Sequence, residues 1–90
     1  MNLEELRLQI DRIDTELCIL LAERFAVTQK VGEYKALHGL PATDPKREEK
    51  QFIKIAQLAT QHQLNPHFAA KFLRLIIDEV VKNHQAIASR

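Results

Sequence analysis

Residues 3–41, LEELRLQIDRIDTELCILLAERFAVTQKVGEYKALHGLP, decide the fold. Apolar side chains recur at Leu3, Leu6, Ile10, Ile13, Leu17 and Leu20, then at Val27, Val31 and Tyr34. Steps that alternate between three and four residues lay these side chains along one face of an α-helix. Asn2 has the short polar side chain of an N-cap, and Glu4 and Glu5 fall in the first turn, where the helix dipole favours negative charge. Gly32 lies inside the run and costs about 1 kcal/mol relative to Ala without ending the helix. His38-Gly39-Leu40-Pro41 ends it, because Gly39 suits the residue just past a helix C-terminus and Pro41 cannot easily continue the helix.

A helix over roughly residues 3–38 is about 53 Å long, whereas a compact domain of this length has a radius of gyration of about 12 Å. The rest of the chain cannot cover such a helix, so its apolar stripe calls for a second protomer. Two more helix starts share one device. Asp44-Pro45 and Asn65-Pro66 each put a capping side chain directly before a proline at the first helical position. The second helix is predicted from Pro45 to about Gln61, with Phe52, Ile55, Ala56 and Ala59 inward. The third is predicted from Pro66 to about Ala88, with Leu73, Ile76, Ile77, Val80, His84 and Ile87 inward. The expected fold is all-α: a three-helix protomer with a long N-terminal helix, one domain over residues 1–90, in an entwined helical homodimer.

Composition narrows the function. Thirteen Lys and Arg against twelve Asp and Glu give a formal charge of +1, which argues against nucleic acid or an anionic membrane as partner. The longest apolar run, Cys18 to Ala22, is too short to span a bilayer. No charged-then-apolar leader precedes the first helix, and the single Cys18 reads as a small core residue. A reduced, cytoplasmic protein is expected. His38, His62, His67 and His84 form no metal-binding pattern, no glycine-rich phosphate loop is present, and Ser89 is the only serine. Neither a metal nor another cofactor is expected, and no nucleophile-based hydrolysis.

The informative residues interrupt the stripe. The inward position after Leu20 is Arg24, and Lys35 is only about 20° around the helix from it and about 16 Å along it. One turn before Phe52 stands Glu48, with Arg47 beside it and Asp44 at the cap. Each has a plain alternative: Arg24 running its stem along the core to water, Lys35 solvated near a helix end, Glu48 in a charged first turn, Arg7 paired with Asp11. Together they suit one interior cavity for a compact dianion, since guanidinium groups grip carboxylates bidentately. Arg7 lies about 26 Å and about 100° from Arg24 on a straight helix. If both hold one small ligand, Arg7 comes from the partner chain.

These residues resemble the all-helical class of chorismate mutase. The resemblance runs through Leu6-Arg7-x-x-Ile10-Asp11-x-Ile13-Asp14-x-x-Leu17-x-x-Leu20-Leu21-x-x-Arg24, Val31-Gly32-x-x-Lys35, Asp44-x-x-Arg47-Glu48 and Leu75-Ile76-Ile77. It implies rearrangement of chorismate to prephenate in an entwined dimer with two pockets, each built from both chains, and no cofactor. By resemblance, Arg24 and Arg7 of the partner subunit clamp the substrate carboxylates. Lys35 donates to the ether oxygen and the nearby carboxylate. Glu48 and the backbone at Asp44 hold the ring hydroxyl, and Arg47 supports developing charge. Two positions depart from the family pattern. Val80 stands where many members have serine, and His84 where they have Gln or Glu donating to the ether oxygen. His84 donates there, as a neutral ring or an imidazolium, or points to the rim while Gln85 or water takes its place. Donation by an imidazolium would make kcat/KM rise as the pH falls. Two rivals remain at this stage: isochorismate-pyruvate lyase, which lacks the acidic residue after the second-helix arginine, and a non-catalytic helical dimerisation module.

Overall fold

A computed structural model describes residues 1–90 as three helices, α1 (Leu3–Leu37), α2 (Pro45–Gln61) and α3 (Pro66–Ala88), with no strand. Each start is capped by the expected side chain. Asn2 accepts from the Glu5 N–H at 2.8 Å, Asp44 from Arg47 at 3.1 Å, and Asn65 from His67 at 2.9 Å. The ends of α1 and α2 are alike. Gly39 (φ 65°) turns the chain after α1 so that the Leu40 N–H reaches the Lys35 carbonyl at 2.8 Å. Gln63 (φ 59°) does the same after α2, where Leu64 donates to Ala59 at 2.8 Å. A residue other than glycine in the left-handed region costs about 1–2 kcal/mol, which is why nothing in the sequence announces that second closure.

The middle of the fold is α3. It packs on both α1 and α2, while α1 and α2 do not pack on each other. The three helices therefore lie as a slab of 55 × 25 × 14 Å, whose smallest dimension is about one helix diameter. A single layer buries little. Only eight residues are buried: Gly32 of α1, Ala59 of α2, and Ala69, Leu73, Ile76, Ile77, His84 and Ile87 of α3. Phe52 and Ile55 are half-buried as expected of an inward face, whereas Ala56 is exposed, because α2 has a neighbour on one side only.

The long first helix is the reason for the thinness. Every residue from 1 to 20 is exposed, including the stripe residues Leu6, Ile10, Ile13, Leu17 and Leu20. Cys18 is exposed in the protomer too, and does not sit in a core as the sequence suggested. The radius of gyration is 16.3 Å against about 12 Å for a compact chain of this length. The accessible surface is 7317 Å², and a folded monomer of this mass would expose about 5,400 Å². An excess of about 1,900 Å² is of the order buried in obligate interfaces. No helix is long and apolar enough to cross a membrane.

Candidate active site

A cavity of about 70 Å³ opens where the second half of α1 meets the start of α2 and the middle of α3. Six residues singled out from the sequence line it: Arg24 and Lys35 from α1, Asp44 from the connection, Arg47 and Glu48 from α2, and Val80 from α3. Residues up to 56 positions apart meet because α3 presents one face to both other helices. The Asp44 carboxylate is spent capping α2, so what Asp44 offers the cavity is backbone.

The charges are unbalanced inside the cavity. Arg24, Lys35 and Arg47 make no ion pair with any carboxylate, and the only two salt bridges in the protomer belong to Arg74. Lys35 Nζ donates to the Ala42 carbonyl at 3.2 Å, which anchors it to the connection without neutralising it. Three cations gathered without an ion-pair contact outnumber the two carboxylates of Asp44 and Glu48 and favour an anionic ligand, above all one with carboxylates that match a guanidinium fork.

Glu48 is held from outside. Arg74 Nη1 is 3.1 Å from Glu48 Oε1 and 3.2 Å from Asp78 Oδ1, and its guanidinium lies 4.7 Å from the centre of the Phe52 ring. The Glu48 side chain is 18% exposed and Arg74 48% exposed, so the pair spans the rim. Hydrogen bonds to Asp78 first, and then to Glu48, raise the Arg74 pKa above its ordinary value. Sequence reading missed Arg74. Its spacing from Asp78 gave a local signal, but its pairing with Glu48 crosses from α3 to α2 and leaves no trace in a periodic pattern.

His84 differs from its expected place. The ring is buried, with 4% of the residue exposed, and does not line the cavity. Its Nε2 is 2.8 Å from the Thr28 carbonyl oxygen, and its Nδ1 is 3.5 Å from Lys35 Nζ. In the protomer His84 therefore faces the Thr28 backbone and the Lys35 ammonium and is not among the residues that line the cavity. Gly32 makes this possible. A Cβ there would stand 2.5 Å from His84 Cδ2 and 2.8 Å from Ile87 Cδ1, so only glycine lets the ring lie against α1. Gln85 does not substitute, being exposed on a separate depression lined by Arg74 and Asp78.

Arg7 is not brought to the cavity. It is exposed near the N-terminus of α1 and pairs with no carboxylate. Between the cavity and the exposed end of α1 lies a wider cleft of about 390 Å³. Leu17, Leu20 and Leu21 form one wall, Ile55 and Leu58 the other, and Leu73 and Ile76 the floor. The cleft is the gap that α1 and α2 leave unfilled. Arg24, Arg47 and Gln51 border both spaces, and the cations nominated for chemistry converge on the smaller one. No group of three or more His, Cys, Asp or Glu side chains is arranged to hold a metal ion.

Fold and site together define a class: an all-helical protein with a polar, cation-lined site suited to a small polyanion. The model of the chorismate mutase type II family matches residues 6–85, and the chain belongs to that family. It is 33% identical over 77 residues to the chorismate mutase of Methanocaldococcus jannaschii, which covers 86% of this chain and 78% of that protein. It is 34% identical over 82 residues to the bifunctional chorismate mutase/prephenate dehydratase of Escherichia coli, covering 91% of this chain but only 21% of that longer protein. The 4-amino-4-deoxychorismate mutase of Streptomyces pristinaespiralis is also similar, 30% identical over 79 residues, 88% of this chain and 58% of that one.

Proposed function

We propose that this chain catalyses the rearrangement of chorismate to prephenate, a step of aromatic amino acid biosynthesis, at the cavity around Lys35. The observation that carries the reading is the meeting of unpaired Arg24, Lys35 and Arg47 with Glu48 in one small space. The reaction is intramolecular. The ether C–O bond breaks as a C–C bond forms between the enolpyruvyl methylene and the ring, and no atom enters or leaves. Two contributions suffice in kind: holding the enolpyruvyl arm over the ring, and stabilising the negative charge that gathers on the ether oxygen. Arg24 grips a substrate carboxylate, Lys35 donates to the ether oxygen, Glu48 accepts from the ring hydroxyl beside the Asp44 backbone, and Arg47 stabilises developing charge. Val80 supplies packing where a hydroxyl would have donated.

The site is completed by a second copy of the chain. A cavity of about 70 Å³ is smaller than the roughly 300–1,000 Å³ of ordinary ligand sites. The exposed stripe of α1 and the adjoining apolar cleft are complementary in character, which supports an entwined homodimer. In that arrangement Arg7 of the partner subunit closes the site over the second carboxylate. A cytoplasmic location belongs to the same reading.

Separate incubation with chorismate, 4-amino-4-deoxychorismate and isochorismate, followed by chromatography, tests the proposal. Prephenate from chorismate well above the spontaneous rate is expected. Faster turnover of the amino analogue reassigns the substrate, and salicylate plus pyruvate from isochorismate alone reassigns the reaction to the lyase. No turnover by a folded dimer leaves a non-catalytic module.

A further inference from the structure

The side chain least explained by the reaction is also the most buried polar one. A backbone carbonyl can only accept a hydrogen bond, so the 2.8 Å contact from His84 Nε2 to the Thr28 oxygen places a proton on Nε2. An ammonium can only donate, so the 3.5 Å approach of Lys35 Nζ requires a lone pair on Nδ1. Of the three states open to an imidazole, only the neutral Nε2–H tautomer meets both neighbours. The geometry is built into the sequence of α1. Thr28, Gly32 and Lys35 follow at steps of four and three and share one face, so a single ring laid on that face touches all three. The glycine at the centre leaves the space the ring occupies. The Thr28 carbonyl, already the acceptor of a helical hydrogen bond, has a second lone pair to offer.

We propose that His84 is a positioning residue that holds Lys35 toward the cavity through an unprotonated Nδ1, with Nε2–H locked on Thr28. The proposal rests on the reading above, in which Lys35 is the donor to the ether oxygen. The Ala42 carbonyl takes one Lys35 N–H at 3.2 Å and His84 Nδ1 takes a second, which leaves the third for the cavity that Lys35 lines. A flexible four-carbon stem is thereby fixed at its charged end, and a donor misplaced by about 1 Å loses on the order of a hundredfold in rate. His84 accordingly stands behind the donor and does not touch the substrate.

Nitrogen NMR of the full-length protein with labelled imidazoles tests the tautomer without reference to activity. One protonated Nε2 and one unprotonated Nδ1 are expected for His84, and the Nδ1 resonance is expected to move in Lys35→Met while the Nε2 proton stays. A ring protonated on Nδ1, an imidazolium, or an Nδ1 signal indifferent to Lys35→Met overturns the proposal. Kinetics supply the second arm. His84→Asn keeps an acceptor near the Nδ1 position, and His84→Leu removes it. The Leu variant is expected to lose about ten- to a hundredfold in kcat with KM within a few fold, and the Asn variant to recover much of that loss. Equal kcat in both variants and wild type overturns it; if the Leu variant fails to fold, the Asn kinetics and the spectra still decide. An active Lys35→Met protein would instead sink the mutase reading of the site while leaving the tautomer assignment intact.

Discussion

Arg74 Nη1 stands 3.1 Å from Glu48 Oε1, and so ties a carboxylate at the cavity to a helix that carries none of the other charges there. The contact fixes the orientation of Glu48, which α2 alone leaves free to swing on a flexible side chain. Because Arg74 is about half exposed, its removal is expected to affect stability little. Its effect falls on substrate. Arg74→Met should raise KM several-fold with a smaller change in kcat, and the change should vanish in a Glu48→Gln background. A double-mutant cycle measures this directly. Full additivity of the two substitutions would mean that Arg74 does not act through Glu48.

In the proposed reaction Lys35 is the donor to the ether oxygen, and neither His84 nor Gln85 lines the cavity beside it. Removing a single preorganised donor of this kind typically costs about 10² to 10³ in kcat, and with His84 and Gln85 off the cavity the loss here should lie near the upper end. Lys35→Ala, checked for helicity by circular dichroism, is expected to fold normally and to rearrange chorismate about a thousandfold more slowly than wild type.

Gly32→Ala should be harmful although alanine is the better helix former. The helix gains about 1 kcal/mol, but the new methyl meets the His84 ring at 2.5 Å and Ile87 at 2.8 Å. Overpacking of a tight contact costs about 1–3 kcal/mol. A net fall in melting temperature is expected, with a loss of kcat as the ring is pushed from Thr28. A more stable variant would show that α3 can back away from α1 freely.

The proposed sharing of Arg7 makes a quantitative prediction. Arg7→Ala and Arg24→Ala homodimers should each be nearly inactive. If unfolded together and refolded as a mixture, half the dimers are mixed, and each of those contains one site with both arginines intact. Activity should recover to about a quarter of wild type. No recovery, with mixed dimers demonstrated by mass spectrometry, would place both arginines in one chain's site.

How much of this was legible beforehand follows from which forces are local. The three helix starts were, because Asn2, Asp44 and Asn65 cap their own helices within three residues. Arg24 was, because a charge on an apolar stripe violates a periodic rule. The surroundings of His84 were not. Its main partner is a backbone carbonyl 56 residues earlier, and every residue has one, so no residue type marks Thr28 as special. The inward position of His84 was read correctly, but burial alone does not say which neighbour a ring nitrogen meets. For the same reason the family pattern alone suggests a donor role for His84, whereas its contacts support the positioning role proposed above.

The slab with α3 at its centre has a further consequence. Eight buried residues are a slender core, and in the proposed homodimer most of the apolar face of α1 is covered by the second chain. Folding and pairing then form one mass-action equilibrium, in which the folded fraction depends on how much protein is present. Serial dilution should reduce specific activity and melting temperature together, and a cell could silence the enzyme simply by making less of it.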